Sequence, residues 1–267
     1  MSRPALSLEQ PIAMAHRGSG VLWPENTMVA FQGAVDLGFR YLETDVRATS
    51  DGVLVALHDA TLDRTTSGTG PIVKQTFAEV RELDAAHHFA TAGNFLHRGA
   101  GVAVPTLEEL LISFPDAVLT IDLKAPGVES QLYEVIARHG AWDRVIVGSF
   151  HDNRLRRFRK LARGRVATSS GPAETARFLS AARLGRAVRI NADALQVPDR
   201  AGPMRVVTRV TVDAAHAAGK EVHVWTINDR DRMVELLDLG VDGIITDRGD
   251  VLRDVMVARG VGGSWNR

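Results

Sequence analysis

Across 267 residues, 32 Lys and Arg offset 32 Asp and Glu, so the formal net charge is +0 and no global field points to nucleic acid or an anionic membrane surface as a partner. Cysteine is absent, which excludes disulfides, thiolate zinc sites and cysteine nucleophiles and suits a cytoplasmic location. The 45% hydrophobic and 24% charged content is that of a soluble globular chain, long enough for one (β/α)₈ barrel or for two smaller domains.

Residues 1–11 carry no apolar run between a basic start and a small-residue cleavage site, so no signal peptide is expected. Short apolar runs then alternate with amphipathic stretches, the pattern of repeated βα units. They predict eight strands, near residues 12–15, 41–46, 118–123, 145–148, 165–168, 194–197, 221–226 and 243–246. The expected fold is α/β, a TIM-type (β/α)₈ barrel forming a single domain over residues 1–267. After the first strand, Phe31, Ala34, Val35 and Leu37 share a helix face that Gly38 ends. Residues 47–105 are too long for one βα connection. They read as an insertion after strand two on the C-terminal face, with a strand-like run at 53–57, turns at 65–70 and a short helix near 77–83. Thr106, with Glu108 and Glu109, opens the next helix. Over residues 153–165, Leu155, Phe158 and Leu161 recur at helical spacing, so the arginines between them read as a solvated outer face. Helices at 212–218 and 232–239 end at Gly219 and Gly240. The tail, with Gly260, Gly262 and Gly263, is expected to be loose. No run approaches 18 apolar residues, so no stable membrane insertion is expected.

Residues fit for chemistry fall at strand ends, where a barrel's C-terminal face needs them. His16 and Arg17 follow the first strand. An imidazole moves protons near neutral pH, and a guanidinium clamps a phosphate through two parallel hydrogen bonds. Gly18 and Gly20 permit close backbone approach to an anion, although an ordinary turn reads the same way. Glu43 and Asp45, two apart on strand two, point to one face. Two carboxylates in one pocket repel unless a cation or a proton sits between them, and oxygen donors suit Mg²⁺, Ca²⁺ or Mn²⁺. His58 matters only if it faces His16 across a scissile bond. Asp122 and Lys124 repeat the two-apart spacing, either as a metal ligand with a phosphate-binding cation or as a simple ion pair. Trp225 walls a small-molecule pocket or packs the core, and Asn228 can bond hydroxyls. Ser149, Phe150, Asp247 and Arg248 hold corresponding strand ends with less to distinguish them. Two histidines, three carboxylates, an arginine and a lysine on one face match metal-assisted phosphoryl chemistry with a histidine acid–base pair.

His16-Arg17-Gly18, Pro24-Glu25-Asn26-Thr27, Glu43-Thr44-Asp45-Val46, His58-Asp59 with Leu62-Asp63-Arg64-Thr65-Thr66, Asp122-Leu123-Lys124, Val224-Trp225-Thr226-Ile227-Asn228 and Gly243-Ile244-Ile245-Thr246-Asp247 together resemble the glycerophosphodiester phosphodiesterases. The ordered match runs from about Ile12 to Asp247, and residues 47–105 are similar to that family's extra segment. The resemblance implies a barrel hydrolase that cleaves a small-molecule phosphodiester to sn-glycerol 3-phosphate and an alcohol. It also implies Glu43, Asp45 and Asp122 as ligands of a divalent cation (Mg²⁺, Ca²⁺ or Mn²⁺). His16 and His58 would be general base and general acid, Arg17 and Lys124 phosphate contacts, and Trp225 the border of the glycerol end. The family's third carboxylate is usually glutamate, and Asp122 is one methylene shorter. Two other readings stay open. A phospholipase D-type enzyme on lysophospholipids or sphingomyelin needs an apolar groove or interfacial surface, and no amphipathic membrane element stands out. A non-catalytic phosphoester-binding protein would be expected to have lost a histidine or carboxylate.

Overall fold

The computed structural model describes residues 4–6 and 11–261; Gly262 and Gly263, read as part of a loose tail, lie outside them. In chain order the strands are β1 (Ile12–His16), β2 (Tyr41–Ala48), β3 (Leu54–Ala56), β4 (Val118–Leu123), β5 (Val145–Gly148), β6 (Ala167–Thr168), β7 (Ala194–Pro198), β8 (Arg200–Ala201), β9 (Met204–Arg205), β10 (Glu221–Trp225) and β11 (Gly243–Thr246). Eight of them pair in parallel in the order β6-β5-β4-β2-β1-β11-β10-β7. A bridge from Ser169 to Ala194 brings the two ends of that path together, and Ser170 N donates to Ala194 O at 2.9 Å. The result is the TIM-type barrel that the βα rhythm predicted.

Alternation along each strand sorts the side chains. On β2, Leu42 and Val46 pack against the helices, whereas Tyr41, Glu43 and Asp45 turn inward. On β4, Leu119, Ile121 and Leu123 face out, and Val118, Thr120 and Asp122 face in. Met14, Tyr41, Val118, Ile146 and Ile245 fill one end of the barrel with Ala5 and Leu6. The polar inward residues lie towards the strands' C-terminal ends, which is the face a barrel offers to function.

The helices are α1 (Met28–Asp36), α2 (Phe77–Arg81), α3 (Leu107–Ser113), α4 (Glu129–Arg138), α5 (Asp152–Ala162), α6 (Pro172–Arg183), α7 (Arg209–Ala217), α8 (Arg230–Asp238) and α9 (Gly249–Ala258). Side-chain caps set several starts. Thr106 and Glu109 form a reciprocal capping box on α3. Thr208 and Asp229 cap α7 and α8, so both begin earlier than apolar periodicity alone predicts. The fifth barrel strand is shorter than predicted: Arg165 belongs to the preceding turn, its N–H bonded to Ala162 O at 2.9 Å and its guanidinium 3.9 Å from the Trp142 ring centroid. On α5 the buried face is Leu155, Phe158 and Ala162, and Leu161 points outward. Its arginines are not all free: Arg157 pairs with Glu129, and Arg159 bonds Thr168, Ser169 O and Glu174.

Between β2 and α3, β3 runs antiparallel to β2, with Val46 opposite Ala56. Leu57 N then donates to Asp45 O at 3.0 Å, which returns the chain to the barrel mouth at His58. This stretch has an apolar cluster of its own that includes Val55, Leu62, Ile72, Val80 and Val104. Among the described residues no helix is long and apolar enough to cross a membrane.

Candidate active site

Strand register lines up the inward groups. His16 on β1 lies opposite Glu43 on β2, and Asp45 on β2 lies opposite Asp122 on β4. After His16 the chain makes a tight left-handed coil, with φ of 51° at Arg17, 79° at Gly18 and 71° at Ser19. Gly18 is required there twice over: its φ is positive, and a Cβ would sit 2.7 Å from the carbonyl carbon of Ala30. The coil points Arg17 N at Glu43 Oε2, 3.1 Å away, and returns the Arg17 side chain into the site.

Asp45 is the hub. Arg17 Nε lies 3.0 Å from its Oδ2, Lys124 Nζ lies 3.1 Å from its Oδ1, and Asn26 Nδ2 donates to Oδ2 at 3.0 Å. Lys124 Nζ also donates to Asp122 Oδ2 at 2.6 Å, so it bridges two carboxylates. Burial works to raise the Asp45 pKa, but the Lys124 and Arg17 charges and the Asn26 amide outweigh it and hold the carboxylate below its ordinary range. Glu43 fares differently. Burial and repulsion from Asp45 push its pKa up to about 7 against the pull of His16 and Arg17. Burial likewise raises Asp122 despite Lys124.

Each histidine leans on a carboxylate. His16 Nδ1 lies 2.7 Å from Asp247 Oδ1, and His58 Nδ1 lies 2.6 Å from Asp59 Oδ1. Burial works to lower the His16 pKa, but the charge on Glu43 and the bond from Asp247 outweigh it, and the net shift is upward. Asp59 is in turn held by Arg64, which fixes its carboxyl at about 2. Arg64 also forks onto both oxygens of Glu25, and Glu25 Oε1 accepts from Arg17 Nη1 at 2.9 Å. Glu25 therefore ties the Arg17 side of the site to the His58 side.

The structure gathers all eight residues singled out from the sequence, His16, Arg17, Glu43, Asp45, His58, Asp122, Lys124 and Trp225, on the wall of one cavity of about 880 Å³. Trp225 is partly exposed and meets Phe150 edge-on at 5.3 Å, and Lys124 Nζ sits 4.9 Å from the Phe150 centroid. Asn228 is engaged by the protein: it accepts from Asp247 N and donates to Asp247 Oδ2. Arg248 pairs with Asp250 instead of reaching the site. Sequence reasoning gave no role to Asp247, Asp59, Glu25 or Arg64. All four lay within quoted motifs, and Asp247 was marked in addition by its strand-end position.

Among the described residues no ready cage of three or more His, Asp or Glu side chains is present, because Lys124 fills the space between Asp45 and Asp122. The donor set nevertheless fits a hard cation. It is all oxygen, Asp122 Oδ1 is buried without a hydrogen-bond partner, and the raised Glu43 and Asp122 are carboxylates short of positive charge.

The family model described as "Glycerophosphoryl diester phosphodiesterase family" matches residues 16–251. The chain is 44% identical over 256 residues to "Probable glycerophosphodiester phosphodiesterase 2" of Mycobacterium tuberculosis, covering 93% of this chain and 92% of that protein. It is 32% identical to a glycerophosphodiester phosphodiesterase of Caldanaerobacter subterraneus subsp. tengcongensis, covering 90% and 96%. An Oleispira antarctica phosphodiesterase, solved in complex with the product sn-glycerol-3-phosphate, superposes with a TM-score of 0.75 at 26% identity over 93% of this chain and 97% of that one.

Proposed function

The chain belongs to the glycerophosphoryl diester phosphodiesterase family, and on that premise we propose that it hydrolyses glycerophosphodiesters to sn-glycerol 3-phosphate and an alcohol, with a divalent cation and two histidines. The observation that carries the reading is the pair of His–Asp dyads, His16–Asp247 and His58–Asp59, on the wall of one cavity with Arg17 and Lys124. Product-bound sn-glycerol-3-phosphate in the Oleispira antarctica relative supports the same product here.

Each dyad ties Nδ1 to a carboxylate, which fixes the ring and leaves Nε2 to exchange a proton with substrate. One histidine takes the proton of the nucleophile, either water or the neighbouring glycerol hydroxyl, and the other gives one to the leaving alkoxide; by the hydroxyl route, water then opens the cyclic phosphate to glycerol 3-phosphate. Arg17 and Lys124 hold phosphate oxygens, as a planar fork and as a point charge. Glu43, Asp45 and Asp122 would hold Mg²⁺, Ca²⁺ or Mn²⁺. When bound, such an ion offsets negative charge on the phosphoryl group. Trp225 borders the glycerol end.

The test is release of glycerol 3-phosphate from glycerophosphocholine, with and without chelator. Turnover that stops in chelator and returns with one of the three cations is expected. Absence of turnover with every cation, or full turnover by metal-free protein in chelator, overturns the reading.

A further inference from the structure

Two arginines on the cavity wall take no part in the reaction above. Arg47 follows Glu43 and Asp45 at two-residue spacing, so the inward face of β2 ends on a guanidinium. Arg154 stands in the first turn of α5 and reaches back over the end of β4. Each spends one donor on a main-chain carbonyl: Arg47 Nε donates to His58 O at 2.8 Å, and Arg154 Nη1 donates to Leu123 O at 2.8 Å. A guanidinium carries five N–H donors, and among the described residues neither arginine makes a further hydrogen bond or an ion pair. The other cations of the inner site differ, since Arg17 and Lys124 each sit within about 3 Å of two carboxylates.

Nearby acids do not account for the pair. Asp122 acts on both charges, yet its Oδ1 is buried without a hydrogen-bond partner and its Oδ2 is taken by Lys124. Arg47 also feels the like charge of Arg154. Two half-buried cations on one wall repel unless an anion lies between them. Strand order sets their side of the mouth. β4 lies four staves from β10 in either direction round the barrel, so Arg154, held on Leu123, stands across the mouth from Trp225. In the proposed reaction Trp225 borders the glycerol. Arg47 is tied to His58, which that reading places as the acid beside the leaving alkoxide.

We propose that Arg47 and Arg154 form a second anion site, which holds a carboxylate or phosphate carried by the leaving alcohol. The proposal rests on the phosphodiesterase reading above. The scissile phosphate sits on Arg17 and Lys124, the glycerol faces Trp225, and the oxyanion of the alcohol lies between the two forks. Planar guanidiniums match the paired oxygens of such a group. A cationic alcohol meets two like charges there instead. The ester bond that breaks is unchanged.

The test measures glycerol 3-phosphate release from two matched pairs of substrates. Glycerophosphoserine and glycerophosphoethanolamine differ by one carboxylate; glycerophosphoinositol 4-phosphate and glycerophosphoinositol differ by one phosphate. A charge-assisted hydrogen bond to the added group corresponds to roughly tenfold or more in kcat/KM, so a preference of that size is expected in at least one pair, and the pair identifies the oxyanion. In Arg47→Met and in Arg154→Met, made separately, the ratio within that pair is expected to fall about tenfold or to unity. Arg154→Lys should keep part of it, because the charge survives the loss of the fork. The ratio cancels losses common to both members of a pair, such as a displaced His58 in Arg47→Met. Ratios near one in both wild-type pairs, or a preference that neither Met variant moves, overturn the anion site and leave the phosphodiesterase reading standing. No turnover of these four substrates or of glycerophosphocholine with any cation overturns both.

Discussion

His16 and Asp247, 231 positions apart, meet at 2.7 Å because β1 and β11 are neighbours in the barrel wall. Asp247 is held in turn by Asn228, so the ring of His16 is fixed from behind. Among the influences that raise the His16 pKa, two come from Asp247. Asp247→Asn removes the negative charge and leaves at most a neutral amide oxygen to accept from His16 Nδ1. The His16 pKa is expected to move down, and the pH–rate limb it governs should move down with it. Loss of one charge-assisted hydrogen bond corresponds to roughly 10- to 100-fold in kcat/KM. NMR titration of His16 beside the pH–rate profile checks this, and an unmoved His16 titration refutes it.

The two histidines line the cavity from different elements, β1 and the segment after β3, so in the proposed reaction they approach the phosphate from different sides. Replacing either should lower kcat by roughly 10²–10⁴. A nitrophenyl phosphodiester has a leaving group that needs no proton, so it should rescue the variant that lacks the acid and not the other. Equal losses in both variants on both substrates would show that acid and base roles are not divided between them.

Asp122 stands opposite Asp45 across the β2–β4 pairing, with one buried oxygen unpartnered. In the proposed reaction it binds the cation directly. Asp122→Asn should therefore weaken metal affinity by at least the roughly 10- to 100-fold that losing an outer-shell partner costs, whereas Asp122→Glu should retain binding. Calorimetric titration of the folded variants with Mg²⁺, Ca²⁺ and Mn²⁺ decides it. Wild-type affinity in Asp122→Asn removes Asp122 from the ligand set.

Arg64 holds Asp59 at about 2 and also lowers Glu25, so both carboxylates act in the same direction. A carboxylate with a depressed folded-state pKa contributes stability that is complete above its unfolded pKa, about 3.9 for aspartate. That contribution disappears as pH falls towards the folded value. The difference in urea midpoint between wild type and Arg64→Met should be widest above pH ~4 and should close between pH ~4 and ~2. A difference that does not change with pH would show that Arg64 acts through packing alone.

Much of the fold was legible because a barrel repeats one local signal. Period-two alternation on residues 41–46 and 118–123 set Glu43, Asp45 and Asp122 on the inner face, and the register then brought them side by side. What escaped was non-local or capped by side chains. No sequence pattern links Asp247 to His16, since only closure of the wall makes them neighbours. On α5, Leu161 matched the apolar spacing, yet the helix turns Ala162 into the core, a choice made by the neighbouring elements. Arg165 opened the predicted strand, yet its guanidinium lies over the Trp142 ring and the strand begins at Ala167. The roles of Asp59, Glu25 and Arg64 depended on which ends of long side chains meet, and sequence spacing does not encode that.

The circle of strands is closed unevenly. β2 and β4 are paired over six positions, whereas β6 pairs with β5 over two and touches β7 through a single bridge. Regions with few backbone ties open at a lower free-energy cost than the whole molecule needs to unfold. The amides of the β6 stave are therefore expected to trade hydrogen for deuterium through local opening, before those behind Glu43, Asp45 and Asp122. The carboxylate cluster is built on the longest pairing in the wall, and the most sparsely paired stave leads into α6.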